Sequence, residues 1–201
     1  LLALVLAGCG ASAGPPNEPS EQPLGPSPSP TAPSAPLGPS PSSPAESRTS
    51  SSAIVADETL LDVLPEAVDG LTLVPIPEAV PEAAADPAVA AVVDRMAFAV
   101  AVDPASGDQV VALVAHLRSG SLDAAGYRAW RDSFDRGVCE RAGGISGHAE
   151  LSLGGRSVEV GICAAGVRTY HVLVPERGLV VSVQSLGERR LGEALVAAIG
   201  R

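Results

Sequence analysis

The sequence predicts an α+β fold over residues 53–201, with a largely antiparallel sheet and helices packed on it. Three observations carry this. Between residues 96 and 185 six short runs, most of them Val-rich, alternate large and small, or apolar and polar, with a period of two, as strands do. Turn signals such as Asp103-Pro104-Ala105-Ser106-Gly107-Asp108 and Gly154-Gly155 join neighbouring runs, which makes hairpins and hence antiparallel pairs. One strong helical pattern interrupts them, giving strand–strand–helix–four strands–helix. Strict strand–helix alternation would instead mean a parallel sheet.

The elements follow in order. Asp57-Glu58 ahead of Thr59-Leu60-Leu61-Asp62-Val63-Leu64 reads as a short capped helix stopped by Pro65. Asp69-Gly70 is a turn, and 71–74 a short strand closed by Pro75 and Pro77. Asp86-Pro87 places a capping acceptor before a proline at the first helical position, so a helix runs from 87 to about 93. In 96–102 large residues alternate with alanines, which suits a sheet covered on both faces. Its partner is 110–117.

The spacing then predicts a helix over 122–136, capped by Ser121 and closed at Arg136-Gly137. Leu122, Gly126, Trp130, Phe134 and Val138 step by four along its inner face. Arg128–Asp132 and Arg131–Asp135 are expected as ion pairs on the outside. Strands follow at 149–153, 156–163, 168–174 and 178–185, then a helix from about 188 to 199.

Residues 9–52 form a separate region. Twelve of the 19 prolines lie in 10–52, with no aromatic residue and almost no large aliphatic one. Such a segment cannot bury enough apolar surface to offset its ordering entropy, so a disordered linker is expected. As a flexible coil its 43 residues span roughly 35 Å. Ahead of it, residues 1–8 are an apolar run expected to be the remnant of a signal peptide, far short of the ~20 residues that cross a bilayer.

That run ends Leu6-Ala7-Gly8-Cys9, which resembles the lipobox of bacterial lipoproteins. The resemblance implies a lipid on the Cys9 sulfur, cleavage just before it, and a protein held at the outer face of the cell membrane. The membrane, through that lipid, is then the one partner the sequence names, and a protein or cell-wall partner stays open. The folded part, through Ala129-Trp130-Arg131-Asp132-Ser133-Phe134, Gly161-Ile162-Cys163 and Thr169-Tyr170-His171-Val172, resembles uncharacterised extracytoplasmic lipoprotein domains of high-GC bacteria. More loosely it is similar to PsbP/Mog1-like sheets. No activity comes with either resemblance.

With Cys9 set aside, Cys139 and Cys163 remain as an even pair, and outside the cytoplasm two thiols in a small domain are expected to form a disulfide. Net charge is −10, every basic residue is Arg, and nine acidic residues between Asp57 and Asp94 meet no basic one. Nucleic-acid binding needs a clustered basic face and is excluded on that ground.

Chemistry-bearing motifs are sparse. His116, His148 and His171 are the only histidines and lie on different elements, so neither a metal site nor any cofactor is expected. Gly144-Ile145-Ser146-Gly147-His148 breaks the GxSxG pattern of a nucleophile elbow. One constellation stands out. Alternation puts Ser157, Glu159, Thr169, His171, Ser182 and Gln184 on one face of neighbouring strands, opposite a Val-rich face. Glu159, Thr169, His171, Ser182 and Gln184 are the candidate ligand-binding set, on a solvent-facing sheet surface, with the Trp130 helix on the opposite, apolar face. Cys163 falls on the polar phase of its strand, which requires either a bulge at Gly161 or a helix covering that face. The expected function is a lipid-anchored binding, sensing or assembly module. The alternative is an extracytoplasmic hydrolase with Glu159 or His171 as base.

Overall fold

In the computed structural model, residues 53–121 and 123–200 are described. Cys9, the linker and Leu122 lie outside them. The chain starts with β1 (Val55–Ala56), a 3-10 helix over Glu58–Val63, β2 (Ala67–Val68), β3 (Leu71–Thr72) and β4 (Val74–Pro75). The Asp57 carboxylate caps the 3-10 helix by accepting from the Thr59 amide at 3.1 Å. Asp69 and Gly70 both have positive φ, the geometry of a two-residue hairpin turn between β2 and β3. The expected strand 71–74 is therefore split. Leu71–Thr72 pairs back on β2, while Val74–Pro75 turns to pair with the long strand that follows.

A 3-10 turn over Pro77–Ala79, then α1 (Val80–Ala84) and α2 (Pro87–Val92), lead into β5 (Val93–Val102) and β6 (Gln109–Leu117). Asp86 caps α2 through the Ala88 amide at 2.8 Å, with Pro87 at the first helical position. After α3 (Ala124–Glu140) come β7 (Ile145–Leu153), β8 (Arg156–Cys163), β9 (Arg168–Val174), a 3-10 turn at Pro175–Arg177, β10 (Leu179–Leu186) and α4 (Leu191–Ala197). The main sheet runs β1-β5-β6-β10-β9-β8-β7, with β4 also on the edge of β5. Every pair is antiparallel except β1 with β5. The chain folds as α+β, and α3 is the crossover that lets β10 return beside β6.

Both faces of the sheet are covered. On one face α4 and the first 3-10 helix close a core of Leu60, Val63, Ala97, Val110, Val114, Tyr170, Val172, Val181, Val183, Leu191 and Leu195. On the other, α1, α2 and α3 pack over Met96, Phe98, Leu113 and Ala115. The alternation of alanines with larger residues in β5 works as expected: Ala97 and Ala101 face the first core, Met96 and Phe98 the second. Helix α4 comes close to the sheet at Gly192, where a Cβ would collide with the Tyr170 ring and meet Ser185 Cβ at 2.8 Å.

The third helix departs from its expected bounds. Its cap is Asp123, which accepts from the Gly126 amide at 2.8 Å. Ser121 instead donates to the carbonyls of Val92 and Arg118, tying down the loop before it. The helix runs through Gly137 to Glu140. Val138 and Cys139 are buried in a small cluster with Ala142, Cys163 and Val167, and that packing outweighs the modest helix penalty of a glycine. At its end the expected disulfide is present: Cys139 and Cys163 are bonded, with Cα atoms 5.0 Å apart.

Candidate functional site

The register of the sheet builds the site. Phe98 pairs with Leu113, Leu113 with Ser182, Ser182 with His171 and His171 with Glu159. One row thus crosses five strands, apolar at the β5 end and polar toward β8. The neighbouring row brings Gln184, Thr169 and Gly161 side by side. The five candidate residues therefore share one face, as alternation requires.

That face is not open to solvent, which corrects the expectation. Helix α3 lies on it, and the Trp130 helix is not on the opposite side. Trp130 Nε1 donates to Ser182 Oγ at 3.1 Å, and Phe134 meets the His171 ring edge-on at 5.3 Å. Thr169, His171 and Ser182 are completely buried. Glu159 is ion-paired with Arg131 of α3, and Gln184 is half-buried. The covering helix also explains Cys163. The β8–β9 register is unbroken through Gly161, so no bulge lies there, and Cys163 points to the α3 face in phase with Glu159. The irregularity on this side of the sheet sits on β7, between Ile145 and Gly147.

The residue that organises this face is Asp135, which sequence reasoning placed outside. It is fully buried. Its carboxylate accepts from Thr169 Oγ1, lies 2.8 Å from His171 Nε2 and 3.2 Å from His148 Nε2. The expected Arg131–Asp135 pair does not form, because Arg131 reaches Asp132 and Glu159 instead. Burial pushes the Asp135 carboxyl up, but hydrogen bonds from His171 and Thr169 and the nearby histidines outweigh it, so its pKa is lowered. An ionised Asp135 accepts a hydrogen bond from His171 Nε2, and Nδ1 lies 3.1 Å from Ser182 Oγ. Trp130, Ser182, His171 and Asp135 thus form one connected hydrogen-bonded chain.

Gly161 makes room for this. A Cβ there would collide with Thr169 Oγ1 and sit 2.6 Å from Asp135 Oδ2. Two sequence signals pointed to the arrangement. Asp135 is four residues before Cys139 and so shares its inward face, and a glycine inside a strand marks a close approach.

Ser–His–Asp in contact resembles the residue set of nucleophilic catalysis, but the geometry opposes that chemistry. The Ser182 hydroxyl is shut from solvent and already bonded to Trp130 and His171, and both ring nitrogens of His171 are engaged. A base must reach its substrate, and His171 does not; Glu159 is occupied by Arg131. Among the described residues no group of three His, Cys, Asp or Glu is placed to hold a metal ion.

What opens to solvent lies beside this network. A cleft of about 590 Å³ separates α3 from α1 and α2. Its lining includes Phe98 and Leu113 from the sheet, Trp130 and Phe134 from α3, and Val89 and Val92 from α2. Asp86, Glu82 and Arg141 are exposed residues that also line it. Sequence reasoning missed this cleft, since it is created by where α1 and α2 stand. Compared with known proteins, no family model, curated protein or solved structure matches the chain.

Proposed function

We propose that this chain is a membrane-tethered binding module that takes a small, mainly apolar molecule into the cleft between α2 and α3. The observation that carries the reading is the cleft itself. Its volume of about 590 Å³ falls in the range of small-molecule sites, which are mostly apolar with a few polar groups. Phe98, Leu113, Trp130 and Phe134 offer an apolar bed, and Asp86 and Arg141 a charged rim, so an amphiphile fits better than a polar solute. The buried Asp135–His171–Ser182–Trp130 chain supports this role by fixing the indole on the cleft wall. Tethering through lipid on Cys9 would keep the module at a membrane surface, within reach of such molecules.

Trp130 is the only tryptophan, so its emission reports on the cleft directly. Titrating the full chain with a medium-chain fatty acid should change that emission saturably. Ala129→Phe, which adds a ring to the cleft from an exposed position, should abolish the change. Emission that does not respond in the parent protein would sink the reading.

A further inference from the structure

The opposite face of the sheet carries a second pocket. It measures about 290 Å³ and is lined by Arg168 and Tyr170 of β9, Ser185 of β10, and Gly187, Glu188 and Arg190 from the loop before α4. Tyr170 is completely buried, and its hydroxyl is the one buried side-chain polar atom among the described residues without a hydrogen-bond partner. Such atoms are rare in folded proteins and call for an explanation. Removing a hydroxyl from water with nothing to bond costs stability, and phenylalanine would avoid the cost.

The neighbouring groups have the same character. Ser185 Oγ accepts from the Gly192 amide at 3.1 Å, and its own proton goes to no acceptor among the described residues. Arg168 Nη1 lies 3.1 Å and Arg190 Nε 3.4 Å from one oxygen of Glu193. A single carboxylate oxygen leaves most of the ten N–H donors of two guanidiniums unspent. Arg190 is one of only two non-glycine described residues with positive φ, an unfavourable backbone that here brings its side chain to the pocket. The Tyr170 hydroxyl keeps its proton, its pKa raised by burial, and the Arg168 guanidinium stands beside it. Glu188, the only acidic side chain in the lining, is exposed. A pocket that presents donors and few acceptors selects a ligand made of acceptors.

We propose that this pocket binds a small oxyanion, the carboxylate or phosphate group of a soluble molecule, held by Arg168 and Arg190 with the Tyr170 and Ser185 hydroxyls donating to it. Planar guanidiniums suit both groups, because each offers paired donors to paired oxygens. The chain's net charge of −10 works against casual anion binding, so occupancy depends on this local donor set. The site is independent of the apolar cleft, which lies across the sheet.

The test is thermal melting and calorimetric titration of the full chain with inorganic phosphate and with acetate, against chloride at matched ionic strength. Phosphate or acetate should raise the melting temperature saturably and chloride should not; which of the two acts identifies the group. Tyr170→Phe should weaken the affinity roughly tenfold while the anion-free protein melts no lower than the parent. Arg190→Gln should weaken it likewise, and Glu193→Gln, which removes the internal competitor, should strengthen it. No stabilisation by either anion beyond chloride overturns the proposal. So does unchanged affinity in a folded Tyr170→Phe protein.

Discussion

At the scale of single residues, Asp135 joins α3 to the sheet. A buried carboxylate is tolerated only where hydrogen bonds replace water, and Thr169, His171 and His148 surround this one. Removing it leaves the buried Thr169 hydroxyl and His171 Nε2 without their acceptor, so Asp135→Ala should lower unfolding free energy by about 3 kcal/mol, read by denaturant melts. The acid response follows from the lowered pKa. Stabilisation by Asp135 is complete above the ordinary aspartate value of about 3.9 in the unfolded chain and is lost as pH falls through the lower folded value. The parent should therefore lose stability in acid more steeply than Asp135→Asn. Equal slopes below about pH 4 would contradict this. Gly161→Ala should cost about 1–3 kcal/mol, since its Cβ has no space between Asp135 and Thr169.

At the scale of elements, α3 is held at four points: Trp130 on Ser182, Arg131 on Glu159, Asp135 on β9, and Cys139 on Cys163. The disulfide closes a loop across 24 positions, worth roughly 3 kcal/mol by restricting the unfolded chain. Reduction should lower the melting temperature and speed amide exchange in the last turns of α3 and in β7, while β5, β6 and β10 at the centre of the sheet keep their protection. Uniform loss of protection would mean that α3 and the sheet unfold only together. β7 is an edge strand, exposed over most of its length. Glu150 and the irregularity near Gly147 put a charge and a kink on that edge, which discourages pairing with other chains.

At the scale of the molecule, one sheet separates two pockets of opposite character. The face under α3 bears an apolar cleft, and the face under α4 a pocket of hydrogen-bond donors. Nothing in the architecture requires the two ligands to be linked, so fatty-acid titrations should give the same affinity with and without saturating phosphate. The tether is tested separately. Intact-mass measurement of membrane-extracted protein should show acyl chains on Cys9, and Cys9→Ser should release a water-soluble product. A soluble parent protein that Cys9→Ser leaves unchanged would remove the anchor from the proposal.

The sequence by itself determined the α+β class, the order of the main strands and the disulfide. It also determined that Glu159, Thr169, His171, Ser182 and Gln184 share a face. These are local or periodic properties: alternation with period two sets faces, turn residues set hairpins, and an even pair of thiols sets a bond. Ends of elements were less legible. Gly137 looked like a stop and is interior, because the burial of Val138 and Cys139 beyond it decides where the helix ends. Only the tertiary structure decided which face α3 covers. Its inner stripe is apolar at Trp130 and Phe134 but polar at Asp135, so it matches a mixed face as well as an apolar one. The choice rests on partners remote in sequence: Ser182 for the indole, His171 and Thr169 for the carboxylate. Both pockets belong to that same class of outcome. Each is a space between elements that no single stretch of sequence encloses, and its lining is fixed only when packing sets how far apart those elements stand.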